Sequence, residues 1–145
     1  MKQSIRFKFF LASLVSMLVS VNVNAYDAEI DGIYYNLLVE AKQASVTRNR
    51  DNTYGGEVII PSTVTYNDVT YDVTSIGESA FYGCTSLTSV TIPSSVTTIE
   101  GNAFYACPGL TSITIPSSVT SIGSGAFYWC PGLTSITIPS GVTTL

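Results

Sequence analysis

The chain has no histidine, and none of its lysines or arginines lies beyond Arg50. Without histidine, the side chain most often used as general acid or base is missing. Glu78 and Glu100 are the acids of the regular repeats in the second half, and neither has a carboxylate or basic partner in the sequence that would separate their pKa values. We therefore expect no enzyme and no cofactor, with a secreted hydrolase as the most distant alternative.

The lack of basic residues after Arg50 also bears on the kind of partner. Binding to nucleic-acid phosphates or to anionic lipid headgroups depends on clustered lysine and arginine. The sequence therefore argues against nucleic acid and against electrostatic docking on a membrane.

Residues 1–25 have the composition of a secretory signal peptide. A membrane anchor is the alternative, but a span needs about 20 mostly apolar residues, and serine and asparagine interrupt this segment. We expect cleavage after Ala25, export to the extracellular space or cell surface, and no membrane insertion afterwards. The cleaved chain keeps three basic and ten acidic residues, for a net charge of −7. The segment consists of a basic start with Lys2, Arg6 and Lys8, an apolar run over residues 9–21, and a small residue at the cleavage position, Ala25.

The second half of the chain repeats with a period of 23 residues. Residues 86–108 and 109–131 are identical at 16 of 23 positions. A fixed period of about 20–29 residues carrying Leu-x-x-Ile-x-Ile predicts a solenoid, in which each unit covers its apolar face only against its neighbours. We call one unit a rung, and residues 58–145 should hold three rungs and a truncated fourth. The columns that recur are Phe81, Phe104 and Phe127; Cys84, Cys107 and Cys130; and Pro93, Pro116 and Pro139.

Residues 26–57 do not follow the period and hold most of the charge. Two runs rich in strand-forming residues, 32–38 and 44–47, predict a hairpin, and a solenoid needs a polar end unit to shield its first rung. We therefore predict an N-terminal β-hairpin cap. The first rung carries nine extra residues between Pro61 and Ile76, which fit a second hairpin turning at residues 67–68.

Apolar and hydroxyl residues alternate along the first part of each rung, and apolar residues then recur at helical spacing. The alternation predicts a strand with its apolar side chains inward, and the later spacing predicts one turn of α- or 3₁₀-helix on the far side. The fold class is therefore a repeat solenoid, mostly β, with short helical turns. In the rung that begins at Gly109, the inward strand residues are Leu110, Ile113 and Ile115, and the helical turn holds Ala126, Phe127 and Cys130.

This pattern resembles the BspA-like leucine-rich repeats of bacterial surface proteins, over about residues 58–145. The resemblance implies a leucine-rich-repeat solenoid in a secreted or surface-exposed bacterial protein, and some family members act as adhesins toward host matrix or plasma proteins. Such proteins usually have many rungs, whereas this sequence stops within its fourth. The motif is Leu110-x-x-Ile113-x-Ile115-Pro116, then Val119-x-x-Ile122, then Ala126-Phe127-x-x-Cys130.

The three cysteines share one column of the repeat, so on successive strands they should lie about 5 Å apart with parallel side chains. A disulfide needs Cβ atoms about 3.5–4.5 Å apart that point at each other, and zinc needs four converging ligands. Thiols that fill a repeated core position are therefore favoured over a disulfide or a metal site.

Two rows of side chains are candidates for ligand contact. The hydroxyl row should lie on the concave face, where it could bind a protein or glycan, although hydroxyls on adjacent strands can also bond one another. The aromatic row could supply binding hot spots or could pack on neighbouring rungs. A concave patch of about 300 Å² is small against about 800 Å² per partner in a standard interface. The hydroxyl row is Ser89, Thr91, Ser112, Thr114, Ser135 and Thr137, and the aromatic row is Tyr82, Tyr105, Tyr128 and Trp129.

These features predict a secreted or cell-surface recognition or adhesion module for extracellular protein or glycan ligands, and the resemblance implies host matrix proteins as one such class. The alternative is a structural spacer, or a fragment of a longer surface protein, with no ligand of its own. The fourth rung lacks the Ala-Phe-x-x-Cys turn that would cover Phe127 and Cys130. An uncovered end exposes apolar side chains and unpaired strand groups, so we also expect either self-association through residues 127–145 or a partner that binds there.

Overall fold

A computed structural model of the protein describes residues 26–48, 51 and 54–145, so the expected signal peptide lies outside the described residues. Within them, the chain forms ten β-strands and no helix. The strands are β1 Ala28–Ile30, β2 Ile33–Leu38, β3 Gln43–Thr47, β4 Gly56–Ile59, β5 Thr63–Tyr66, β6 Val69–Ile76, β7 Leu87–Thr91, β8 Thr98–Ile99, β9 Ser112–Thr114 and β10 Ser121–Ile122.

The strands form two sheets. One has seven strands in the order β1-β2-β3-β6-β8-β10, with β5 paired to β6, and the other has three strands in the order β4-β7-β9. Along the stack, parallel pairing places Ser89 opposite Ser112 and Ile76 opposite Ile99. Successive rungs therefore lie side by side with equivalent residues in contact, and the predicted repeat solenoid is confirmed.

The cap is a hairpin of β2 and β3 that serves as the first layer of the seven-stranded sheet. Tyr35 of β2 lies opposite Val46 of β3, and Val46 then pairs in parallel with Ile76 of the first rung. The sequence did not predict β1, which pairs with β2 through a turn at Asp31 and Gly32. Both turn residues have positive φ, 50° and 78°, as a two-residue type I′ turn requires.

The core is a ladder of aromatic rings along the solenoid axis. Phe81 and Phe104 are fully buried, and ring centroids are 4.9 Å apart between Phe81 and Phe104 and 5.3 Å apart between Phe104 and Phe127. Tyr54 extends the ladder at the cap end, 4.6 Å from Phe81. Its hydroxyl donates to the Thr47 carbonyl at 2.7 Å and accepts from the Tyr34 N–H at 2.9 Å. The cap is thus joined to the rungs by packing and by hydrogen bonds.

The apolar turn of each rung is not helical, which corrects the prediction of a helical or 3₁₀ turn. In the first rung, every second N–H of the turn donates to a carbonyl three residues earlier, while the N–H groups between them donate to the next rung. A helix needs successive N–H groups to bond within its own segment, so this alternation excludes one. In the first rung the internal donors are Ala80, Tyr82 and Cys84, and the donors to the next rung are Ser79, Phe81 and Gly83.

The fourth rung forms only in part. Residues 135–137 have no assigned strand pairing, although the repeat predicts a strand there. Its second half does join the stack, since the Thr143 N–H donates to the Thr120 carbonyl at 2.9 Å and Thr144 forms an isolated parallel bridge with Ser121. The three-stranded sheet therefore ends at β9.

Candidate binding surfaces

The outward side of the three-stranded sheet carries the hydroxyl row. Ser89 lies opposite Ser112 and Thr91 opposite Thr114, and all but the half-buried Ser89 are exposed. Between described residues, no hydrogen bond joins these hydroxyls to each other or to another protein group. Hydrogen bonding between hydroxyls of adjacent strands, the structural alternative for this row, is therefore not present there. In this part of the chain the hydroxyls are therefore available to a ligand.

A different threonine column has a structural role, because its hydroxyls bond to the backbone of the preceding rung. The hydroxyls of Thr97, Thr120 and Thr143 each donate to the threonine carbonyl of the preceding rung at 3.4 Å. That column lies in and beside the seven-stranded sheet, away from the hydroxyl row. The same kind of bond occurs beside the hydroxyl row, where the Thr111 hydroxyl donates to the Thr88 carbonyl at 3.3 Å. Bonded and unbonded hydroxyls are therefore neighbours in the three-stranded sheet.

The structure changes the membership of the hydroxyl row. Ser135 and Thr137 are exposed but lie in the segment without strand pairing, so they do not extend the sheet. At the other edge, β4 adds Glu57 opposite Ser89 and Ile59 opposite Thr91. The repeat pattern did not indicate these two residues because the nine-residue insertion interrupts the 23-residue period. The Ile-Pro pair at residues 60–61, which matches residues 92–93, was the signal that could have placed them.

The aromatic row forms a continuous stack on the far side of each rung. The Tyr82 and Tyr105 rings have centroids 5.0 Å apart and planes 3° apart, and Tyr105 and Tyr128 have centroids 5.3 Å apart. Neighbour packing, one of the two interpretations, is therefore present. Exposure nevertheless remains high at the C-terminal end, where Tyr128 is 64% and Trp129 69% exposed.

An apolar groove runs beside the aromatic row with a volume of about 360 Å³. Its lining comes from two repeat columns on three successive rungs, so it extends along the solenoid axis rather than across it. Trp129 replaces the small residues found at this column in the earlier rungs, and it forms the one large side wall. The two columns are Gly83, Ala106 and Trp129, and Thr85, Pro108 and Pro131.

The cysteine column belongs to the core. The Cys107 thiol donates to the Phe81 carbonyl and the Cys130 thiol to the Phe104 carbonyl, each at 3.0 Å, and Cys84 hydrogen-bonds the backbone of Tyr54. Burial is the main cause that raises the pKa of Cys107 to about 12 and that of Cys84 to about 11. A thiolate is the nucleophilic form of cysteine, so these thiols are suited to packing and not to chemistry.

Neither a metal site nor a membrane-spanning helix is found in the described residues. Residues 26–48, 51 and 54–145 contain no cluster of three or more His, Cys, Asp or Glu arranged to hold a metal ion. In the same part of the chain, no helix has the length and hydrophobicity needed to cross a bilayer.

Residues 57–145 match the sequence model of the BspA type leucine-rich repeat region, a model of six copies. The chain belongs to the BspA-type leucine-rich repeat family. Such repeats form modules with binding or structural roles, and no catalytic family is indicated. A comparison with curated proteins finds no significant match.

Solved structures of leucine-rich repeat proteins are similar to this chain. One from Bacteroides ovatus is 42% identical with a TM-score of 0.73, over 81% of this chain and 30% of that one. One from Bacteroides capillosus is 30% identical with a TM-score of 0.73, over 81% of this chain and 86% of that one. A leucine-rich cell surface protein from Faecalibacterium prausnitzii is 32% identical with a TM-score of 0.66, over 80% of this chain and 37% of that one.

The similarity to the B. ovatus and F. prausnitzii proteins involves about a third of their length, 30% and 37%. The family and the cell-surface relative together indicate a repeat module of a surface or secreted protein.

Proposed function

We propose that this protein is a secreted or cell-surface recognition module that binds extracellular protein or glycan ligands without catalysis. The observation that carries the proposal is the exposed aromatic edge formed by Tyr128 and Trp129 beside the groove of three rungs. Tyrosine and tryptophan dominate binding hot spots because they bury a large area at low conformational cost.

The hydroxyl row supports the same function on a second face. Its hydroxyls have no protein partner among the described residues, and a flat row of donors and acceptors suits the polar surface of a glycan or protein. The hydroxyl face, at about 300 Å², is smaller than the roughly 800 Å² per partner of a standard interface. Binding should therefore be weak at one face and should gain strength when several contacts act together.

Fluorescence offers a direct test, because Trp129 is the single tryptophan of the chain. The purified protein is applied to an array of immobilised matrix proteins and glycans, and each bound ligand is then titrated in solution. A ligand that uses the aromatic edge should shift the emission of the exposed Trp129 to shorter wavelength as water is excluded.

Two variants assign the binding face. Tyr128→Ser removes an exposed ring from the aromatic edge, and Thr91→Ala with Thr114→Ala removes two hydroxyls from the other face. Loss of binding in one variant alone identifies the face in use. Absence of binding to every array component would reject the recognition module in favour of a structural spacer.

A further inference from the structure

Two clefts lie at the cap end of the three-stranded sheet, with volumes of about 270 and 410 Å³. Both are lined by Asp31, Ile33 and Ile59, so they adjoin each other along the turn between β1 and β2. Glu57 lines the smaller cleft and Tyr35 the larger one. We call the two clefts together the cap groove.

The cap groove follows the outer edge of β4. Glu57 and Ile59 of this strand face outward and Val58 faces inward, and all three line the smaller cleft. A cleft lined by both faces of a strand lies beside it and not over one face. Since β4 has β7 as its neighbour on one side only in the described sheet, its other edge is open to an extended chain, as in recognition by strand addition.

Tyr35 marks the larger cleft as a site that lacks a partner. The side chain is fully buried, and its hydroxyl has no hydrogen-bond partner among the described residues. The hydroxyl of Tyr54, another buried tyrosine, by contrast makes one hydrogen bond as donor and one as acceptor. Buried hydroxyls are nearly always satisfied, so the Tyr35 hydroxyl is an open position for a polar group.

Charge and hydrophobicity determine what kind of group fits. Asp31 and Glu57 supply two carboxylates, and none of the described residues that line the two clefts is basic. Burial raises the pKa of the Tyr35 phenol, and the negative charge of Asp31 raises it further. The Asp31 carboxylate therefore acts electrostatically on the phenol. Ile59 lines both clefts with Asp31 and is 64% exposed.

We infer that the cap groove binds an extended, basic segment of a partner protein, with a lysine side chain in the cleft lined by Tyr35. The ammonium group donates to the Asp31 carboxylate and the Tyr35 hydroxyl, while its methylene stem packs on Ile33 and Ile59. A glycan would leave the open strand edge and the two carboxylates without a cation or a backbone partner. The inference rests on the proposed recognition function and names a partner class for it.

The test uses a capped pentapeptide of threonine and valine around a central lysine, with a matched peptide that carries norleucine instead. Amide resonances of the isotope-labelled protein are followed by NMR. The lysine peptide should shift resonances at residues 31–33 and 56–59, and added salt should weaken it. The norleucine peptide should bind about fivefold more weakly, as expected for loss of a solvent-accessible ion pair.

Matched variants separate the site from net charge. Asp31→Asn and Asp68→Asn each remove one carboxylate at a turn position with positive φ, 50° and 62°, which asparagine tolerates. Asp31→Asn should weaken the lysine peptide about fivefold, and Asp68→Asn should leave its affinity unchanged. Tyr35→Phe should weaken it too without lowering thermal stability, because the lost hydroxyl has no partner in the described part of the chain.

Equal binding of the two peptides, or equal effects of the two asparagine variants, would overturn the inference. Shifts at residues 31–33 caused by glycans and not by the lysine peptide would overturn it in favour of a saccharide site. If the array still shows ligands that shift Trp129 emission while the lysine peptide does not bind, the cap-groove inference is wrong and the recognition function stands. If the peptide binds and the array shows none, the recognition of matrix ligands fails alone.

Discussion

The rings of Phe81 and Phe104 stack in parallel, with centroids 4.9 Å apart and planes 4° apart. Each inner ring of this ladder is covered by a ring on both sides, from Tyr54 at the cap to Phe127 in the third rung. A rung therefore takes much of its stability from its two neighbours, as expected for a solenoid.

The ladder predicts a large effect of Phe104→Ala on stability. The change removes a fully buried ring and leaves a cavity between two others, so the free energy of unfolding should fall by about 3–5 kcal/mol. Thr114→Ala on the exposed hydroxyl row should change it by less than about 0.5 kcal/mol. Denaturant melts measure both, and equal effects would show that the inward and outward assignments are wrong.

Trp129→Gly should separate stability from binding. Trp129 has φ of 59°, whereas the same position of the first rung holds Gly83 with φ of 68°. A left-handed conformation costs a non-glycine residue about 1–2 kcal/mol. The largely exposed ring of Trp129 contributes little packing energy to offset that cost. Thermal melts should show equal or higher stability, while ligand binding at the aromatic edge is lost. A clear fall in stability would mean that Trp129 packs as a cover for the core.

The buried thiols predict that stability falls at alkaline pH. The Cys107 pKa is raised from 9.0 to about 12 in the folded protein, so the unfolded chain loses this proton first. The stabilisation is complete below about pH 9 and is lost as the pH rises from about 9 toward 12. Denaturant melts at pH 8 and pH 10 should show the fall, and Cys107→Ala should reduce it. An equal fall in this variant would assign the effect to other groups.

Export predicts a defined N-terminus. The basic start, the apolar run and Ala25 place cleavage before Tyr26. Mass spectrometry of the protein recovered outside the cytoplasm should therefore find a chain that begins at Tyr26. Recovery of chains that still begin at Met1 would contradict a cleaved signal peptide.

The exposed isoleucines of the fourth rung predict self-association of this polypeptide. Ile136 and Ile138 are each 36% exposed, although the repeat makes them core positions. Sedimentation over a range of concentrations should show association, and Ile136→Lys with Ile138→Lys should reduce it. Paired substitution of Thr63 and Thr65 by lysine adds the same charge far along the chain and should leave association in place. A monomer at every concentration would rule this prediction out.

The sequence alone determined the rung. The 23-residue spacing identified the columns of Phe81, Cys84 and Ile76 as core, and the structure buries all three. Two short runs of strand-forming residues were enough to predict the cap hairpin. These features are predictable because they depend on local alternation and on exact repetition, both of which are visible in a single chain.

Tertiary structure decided the rest. Glu57 and Ile59 lie on the same face as the hydroxyl row only because β4 pairs with β7. Tyr54 belongs to the ring ladder because it contacts Phe81. The far-side turn of the first rung is not helical because alternate N–H groups donate to carbonyls of the next rung. In each case the outcome depends on which distant group is nearest in space, and the local sequence pattern carries no information about that distance.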